Sequence, residues 1–165
     1  IGACVADHSQ DIILITGDGS IQMNLQELET VVSHRMPIKI FIINNGGYHS
    51  IRQTQKSFFG EPLVGIGTDS HDLSCPDMEE LAWAYGYPYI AAHHNEELAE
   101  AVEKTLAVDG PVICEFFVTM DQNFEPKSSA KRLPDGTLVS PPLEDLSPFL
   151  PDEEMDKLMI IPRMK

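Results

Sequence analysis

Two short apolar, β-branched runs, Ile12 to Thr16 and Ile38 to Ile43, each end in a glycine-rich polar loop, and this constrains the chain more than anything else in it. The loops are Gly17-Asp18-Gly19-Ser20 and Asn44-Asn45-Gly46-Gly47, and the stretch between the runs, Asn24 to Ser33, has helical spacing. Strand, helix, strand is the unit of a parallel sheet, and such a crossover brings both loops to the same edge. Asp18 and Asn45 can therefore face one ligand.

Charge narrows what that ligand is. Gly17 and Gly19 let a backbone approach a phosphate closely, yet no Lys or Arg precedes Arg35, so the first loop has no basic side chain to neutralise an anion. A metal ion would fill the gap. Asp18 offers a carboxylate, Asn45 an amide oxygen and the Gly46-Gly47 turn its backbone carbonyls, an all-oxygen set that suits Mg²⁺ or Ca²⁺ rather than Zn²⁺. His49, four residues past Asn45, is placed to donate to a phosphate or touch a substrate, and Tyr48 and Ser50 flank the same position. Taken singly, each loop reads as no more than a turn.

At these residues the chain resembles a known family. Gly-Asp-Gly, then 24 residues, then Asn-Asn is similar to the diphosphate-and-metal motif of thiamine-diphosphate enzymes, and the text from Gly17 to Leu28 resembles their acetolactate synthase branch. The resemblance runs from Ile1 to about Thr119. It implies a mostly parallel α/β sheet flanked by helices, the thiamine-diphosphate-binding fold, with Mg²⁺ on Asp18, Asn45 and the Gly47 carbonyl. Gly17, Gly19 and Ser20 would meet the diphosphate, with Tyr48 and His49 beside it. It also implies a homodimeric or homotetrameric parent enzyme that decarboxylates a 2-oxo acid and joins the fragment to a second carbonyl, a transferase or lyase. The chemistry belongs to the cofactor. In that family the glutamate that activates the cofactor comes from another domain of a partner subunit, so no catalytic residue is expected in this chain, and the isolated chain is expected to be inactive.

Two alternatives keep the fold: a 2-oxo acid decarboxylase or lyase without carboligation, and a cofactor-free assembly domain, which the intact Asp18 and Asn45 oppose. A dinucleotide-binding module is opposed by the lack of a G-x-G-x-x-G opening a helix.

Composition bounds the partners. With 165 residues the chain suffices for one domain with a sizeable core. Its 26 acidic and 11 basic residues give a net charge of −15, which opposes nucleic acid and anionic membranes. No apolar stretch nears the roughly 20 residues that span a bilayer, and no leader pattern opens the chain. A cytoplasmic location is expected. Cys4, Cys75 and Cys114 are scattered and suggest buried or half-buried free thiols rather than a zinc site or disulfides. The chain opens without Met, in a small-residue segment, Ile1 to Ala6, that reads as the end of a helix cut from something longer, with further domains upstream implied by the resemblance.

Along the chain, Ile12 to Thr16 reads as a strand buried on both faces. Asn24 and Glu27 form a capping-box pattern for a helix whose face is Leu25, Leu28, Val31 and Val32, and Lys39 to Ile43 is the second strand. Ser50 to Lys56 starts a helix carrying Ile51 inward, with Arg52 and Lys56 on its solvated face and Phe58-Phe59 as core or interface aromatics. Gly60 to Asp72 is a long loop. Asp77 to Tyr85 is helical and stops at Gly86; Pro88 to Ala92 is a strand; Asn95 caps a helix through Ala107, with Leu98, Val102 and Leu106 facing the sheet; Pro111 to Thr119 is the last strand. His93-His94 receive no role. The domain is thus expected over 1–120. From 121 to 165 the Pro-rich text reads as an extended tail laid over a surface, in preference to a lid on a neighbouring subunit, with a turn at Pro134 to Thr137 and one short helix at Asp152 to Met159.

Overall fold

The computed structural model describes residues 1–7 and 10–163. The chain divides into two compact units, Ile1–Gln122 and Asn123–Lys165; the last two residues of the expected 121–165 tail lie outside the described ones.

In the first unit the elements run α1 (Gly2–Ala6), β1 (Ile12–Gly17), α2 (Asp18–Ile21), α3 (Glu27–Ser33), β2 (Ile38–Asn44), α4 (His49–Phe58), α5 (Met78–Tyr85), β3 (Tyr89–Ala92), α6 (Leu98–Ala107) and β4 (Val112–Phe117). The four strands form one parallel sheet in the order β1-β2-β4-β3. This is the α/β architecture expected of the sequence. Its layering follows from handedness. The chain steps from β1 to β2 to β3 in one direction and then back to β4, and right-handed crossovers place the helices of the forward steps on one face and that of the return step on the other. Accordingly Cys4, Leu28, Val31, Met78 and Ala82 pack on Ile38, Ile40, Ile42 and Ile113, while Ala101 of α6 packs on Phe41, Ala92 and Cys114. Successive residues of β2 thus serve opposite cores, as a pleated strand buried on both faces must.

Buried Lys39 lies on the α6 face. Its ammonium donates to the Val108 carbonyl and, at 2.8 Å, to that of Gly110, and pairs with Asp11 at 3.4 Å. This pins the turn that leads into β4.

Several local expectations are corrected. β1 is not buried on both faces. It is the sheet's edge among the described residues, and Ile13 and Ile15, 57% and 69% exposed, lie on the α6 face, where α6 packs over β3, β4 and Phe41 of β2. The capping box at Asn24 does not form: α3 follows Gln26 with no side-chain cap, because the backbone is already helical through α2 and a 3₁₀ turn at Gln22–Asn24. Asn95 does not cap α6. The Glu97 carboxylate takes the His93 and His94 amides instead, at 2.7 and 3.1 Å. Leu106 is exposed, and Thr105 takes the buried position. By contrast α5 forms as read, with Asp77 accepting from the Glu80 amide and Gly86 left-handed at its end.

The second unit holds a two-residue hairpin, β5 (Lys131–Arg132) and β6 (Leu138–Val139), closed by the turn at Pro134 to Thr137, and α7 (Asp152–Leu158). Lys131 pairs with the buried Asp145 at 3.6 Å and lies over the Phe149 ring.

Candidate functional site

The parallel pairing puts Gly17 opposite Ile43, so the loops after β1 and β2 leave the sheet side by side at its C-terminal edge. They are built differently. Asp18 is fully buried, yet neither carboxylate oxygen has a hydrogen-bond partner, and the Asn45 side-chain oxygen, also shielded from solvent, has none. An unpaired buried carboxylate costs several kcal/mol unless a cation neutralises it, of order 2–7 for a polar group and more for a charge. Three orphaned oxygens from two loops fit a hard cation. Asp18 and Asn45, expected to cooperate, are thus brought to the same edge.

Around Asp18 the loop is held by few bonds. Gln22 donates from Nε2 to the Asp18 carbonyl at 3.3 Å and to Cys75 Sγ at 3.1 Å. Burial, with the Asp18 carboxylate second, pushes the Cys75 thiol up to about 11. Gly19 is glycine for room: a Cβ there would sit 2.9 Å from the Tyr48 ring. That contact joins the two loops. Ser20 is exposed on the same short helix.

The second loop is strapped down. Gly46 and Gly47 have φ of 76° and 126°. Gly47 forms an antiparallel bridge with Gly67: the Tyr48 amide donates to the Ile66 carbonyl at 2.6 Å and the Thr68 amide to the Gly46 carbonyl at 3.3 Å. His49, at the start of α4, is buried, and its Nδ1 lies 3.0 Å from Arg52. A guanidinium has only N–H groups to offer, so Nδ1 accepts and the ring proton sits on Nε2. Ile51, expected inward, is 48% exposed; Arg52, expected on the solvated face, is 1% exposed. The helix turns its polar edge inward because what it packs on is loop carbonyls, not sheet.

Sequence reasoning assigns Asp69 and Glu115 no role, places Arg52 on a solvated face and takes Cys75 only as a free thiol. Two signals were available. The segment from His49 to Lys56 has one aliphatic residue, so its buried edge had to be polar. Glu115 interrupts an apolar strand and is buried, with Asn44 donating to one oxygen at 2.7 Å and the Tyr89 hydroxyl to the other. Burial and then that carboxylate raise Tyr89 above its ordinary range, so it stays a donor. A cleft of about 470 Å³ lined by Asn44, Asp77, Tyr89, His93, Glu115 and Phe117 opens here. The Glu115 oxygens are engaged, unlike those of Asp18. His93 stacks on Phe117 at 4.3 Å, and no group of three or more His, Cys, Asp or Glu gathers among the described residues. The three cysteines are free, Cys4 and Cys114 buried and Cys75 half-buried.

Comparison with known proteins bears on the whole unit. Residues 1–116 match the family described as thiamine pyrophosphate enzyme, C-terminal TPP binding domain. The acetolactate synthase large subunit of Pyropia yezoensis is 36% identical over 129 residues, 76% of this chain and 21% of that protein. Acetolactate synthase of Mycobacterium bovis is 31% identical over 131 residues, 79% of this chain and 21% of that protein. Among solved structures, a thiamine diphosphate-dependent 4-hydroxybenzoylformate decarboxylase from Rhodococcus jostii RHA1 aligns with a TM-score of 0.65 and 27% identity, over 74% of this chain and 22% of that one. The chain spans about a fifth of the length of the curated relatives it matches.

Proposed function

Because the chain belongs to the thiamine pyrophosphate enzyme family, as its C-terminal TPP-binding domain, we propose that Asp18, Asn45 and the Gly47 carbonyl hold Mg²⁺. The metal, with Gly17, Gly19, Ser20, Tyr48 and His49, then holds the diphosphate. The observation that carries this reading is the buried Asp18 carboxylate with both oxygens unpartnered beside the unpartnered Asn45 oxygen. The donor set is all oxygen, as Mg²⁺ prefers, and no lysine or arginine stands in the first loop to do the metal's work.

Residues 1–120 are the cofactor-binding domain of a larger, oligomeric, cytoplasmic enzyme, and 121–165 its C-terminal tail, which folds on itself as a small unit rather than running extended. No helix among the described residues is long and apolar enough to cross a membrane. When bound, thiamine diphosphate supplies the electron sink that lets a 2-oxo acid lose CO₂. This chain's residues bind and orient its diphosphate end; the activating glutamate comes from elsewhere. Likeness to acetolactate synthases favours joining the decarboxylated fragment to a second carbonyl. Likeness to a 4-hydroxybenzoylformate decarboxylase favours a second reading, release of an aldehyde.

The test is calorimetric titration of the full-length protein with thiamine diphosphate, with and without Mg²⁺, and with NAD⁺. Heat is expected only with thiamine diphosphate and Mg²⁺ together, and about 10–100-fold weaker binding from Asp18→Ala. Binding that ignores Mg²⁺, or binding of NAD⁺ alone, overturns the site. Products from pyruvate separate the two reactions: acetolactate for the first, acetaldehyde for the second. The isolated chain should release no CO₂.

A further inference from the structure

The Asn45–Tyr48 turn cannot satisfy its own backbone. The Gly46 carbonyl takes the Thr68 amide at 3.3 Å from across the bridge, and the partly buried Asn45 and Gly46 carbonyls both stand within reach of a further donor. Arg52 supplies it. Nη1 donates to the Asn45 carbonyl at 3.2 Å and to His49 Nδ1 at 3.0 Å; Nη2 donates to the Gly46 carbonyl at 3.0 Å and to Asp69 Oδ1 at 3.0 Å; Nε donates to Asp69 Oδ2 at 2.9 Å. A guanidinium has five N–H groups, and all five are used. None of these bonds goes to the Gly47 carbonyl.

We propose that Arg52, held by Asp69, is the positioning residue of the metal-binding turn. By taking the carbonyls of the two successive peptides Asn45–Gly46 and Gly46–Gly47 it fixes both, and with them the Asn45 side chain and the Gly47 carbonyl on the same backbone. Asp69 has a second task. Arg52 is a full positive charge buried beside a site meant for a cation, and the bidentate carboxylate neutralises it; the pairing in turn holds Asp69 below its ordinary range. Asp69 belongs to the long loop, whose residues 66–68 also bridge to Gly46–Tyr48, so that loop is a second layer of the site rather than a loose connection. Lysine could not replace Arg52: it has three donors on one atom, against acceptors on four residues lying on different sides of a planar fork.

The proposal rests on the Mg²⁺ reading of the two loops, and the experiment separates the two. In the full-length protein, Mg²⁺ is titrated at fixed thiamine diphosphate for the unaltered chain, Asp18→Ala, Arg52→Lys, Arg52→Ala and Asp69→Asn, with metal-free melting as the check on folding. Outer-layer partners of a metal site are worth about 10–100-fold in affinity, so Arg52→Lys and Arg52→Ala should raise the Mg²⁺ needed for half-saturation by about tenfold or more. Asp69→Asn, which leaves the guanidinium in place but uncompensated, should raise it several-fold. Mn²⁺ in place of Mg²⁺ should give a broadened electron paramagnetic resonance spectrum in each variant. Added guanidinium ion should restore Mg²⁺ affinity to Arg52→Ala while ammonium does not, a rescue that loss of fold would not permit. If Arg52→Lys and Asp69→Asn take Mg²⁺ as the unaltered protein does while Asp18→Ala does not, the positioning role is overturned and the site reading stands. If the unaltered protein shows no Mg²⁺-dependent binding, the site reading fails and this role with it.

Discussion

The loops after β1 and β2 lie side by side on one sheet edge, yet only one of them is braced. The turn at Asn45–Tyr48 is tied by a β-bridge, a five-bonded guanidinium and two left-handed glycines. The loop at Gly17–Ser20 has Gln22 on one carbonyl, the Tyr48 ring against Gly19, and a fully buried carboxylate with no partner. One loop has its Asn45 and Gly46 carbonyls satisfied before any ligand arrives and leaves open only the Asn45 side-chain oxygen aimed at the metal; the other leaves its strongest group, the Asp18 carboxylate, unsatisfied until one does. A preformed turn lowers the ordering cost of binding, and an unpaired anion supplies a charge for the cation to neutralise. The pair divides those tasks.

The sharpest way to break this contrast is a methyl group in the braced turn. A Cβ on Gly67 would sit 1.9 Å from the Gly46 carbonyl oxygen, and one on Gly47 would sit 2.1 Å from that of Ile66; both positions also have left-handed φ, 153° and 126°. The obstacles are backbone atoms and cannot swing aside. Gly67→Ala and Gly47→Ala should each cost about 3 kcal/mol or more in the domain's urea unfolding transition. A loss under about 1 kcal/mol would mean that the turn and the long loop are not locked together.

Next in size is Asp18→Ala, which should act with opposite signs on binding and on stability. Mg²⁺-dependent binding of thiamine diphosphate should fall about 10–100-fold, or about 1.4–2.7 kcal/mol. Without metal, the same change removes a buried unpaired charge, so the melting midpoint should rise, by about 1 kcal/mol of stability. Metal-free melting and calorimetry on one preparation check both. A variant that loses stability and keeps its affinity would make Asp18 a structural residue.

What the sequence disclosed follows the same division. The strands, their parallel order of connection, α5 with Asp77 and Gly86 at its ends, and the Asp18–Asn45 juxtaposition were legible because each depends on short-range pattern or on the handedness of a crossover. The bracing of the second turn was not. Arg52 looks like a solvated cation in a helix of polar residues; only the folded long loop brings Asp69, 17 residues on, against it. Ile51 was misread for the same reason, since an isolated aliphatic residue in a helix carries no period to say which face is inward. The exposure of Ile13 and Ile15 depends on what lies beyond an edge strand, which no local pattern encodes. The Asn24 capping box failed because a cap needs non-helical backbone before it, and the chain here is already helical from Asp18.

A smaller effect sharpens the role of charge in the brace. Asp69 is held below its ordinary range by its hydrogen bonds to Arg52, against a lesser cost of burial, with Lys56 adding a weak attraction. A carboxyl with a depressed folded-state pKa adds stability that is present above its unfolded value and disappears as pH falls through the folded one. Asp69→Asn should therefore be less stable than the unaltered protein at pH 7, by about 1 kcal/mol for a charged hydrogen bond at a partly exposed site. The gap should narrow below the ordinary aspartate pKa and close as Asp69 itself protonates. Urea melts at pH 7 and at successively lower pH are the measurement, and a gap that stays constant with pH would assign the effect to packing rather than charge.

The smallest effect belongs to the loosely held loop. A Cβ on Gly19 would lie 2.9 Å from the Tyr48 ring, as close in distance as many damaging contacts, but what it meets is the edge of a partly exposed side chain, not backbone. The ring can yield by a few tenths of an ångström. Gly19 also has no left-handed φ and sits within α2, where alanine gains about 1 kcal/mol over glycine in helix propensity. Clash and propensity nearly cancel, so Gly19→Ala should leave stability within about 0.5 kcal/mol of the unaltered protein. Binding should still weaken a few-fold, because moving the Tyr48 ring disturbs a side chain that joins the two loops. A stability loss as large as that of Gly67→Ala would show that the first loop is braced as tightly as the second, and the division of labour between them would have to be given up.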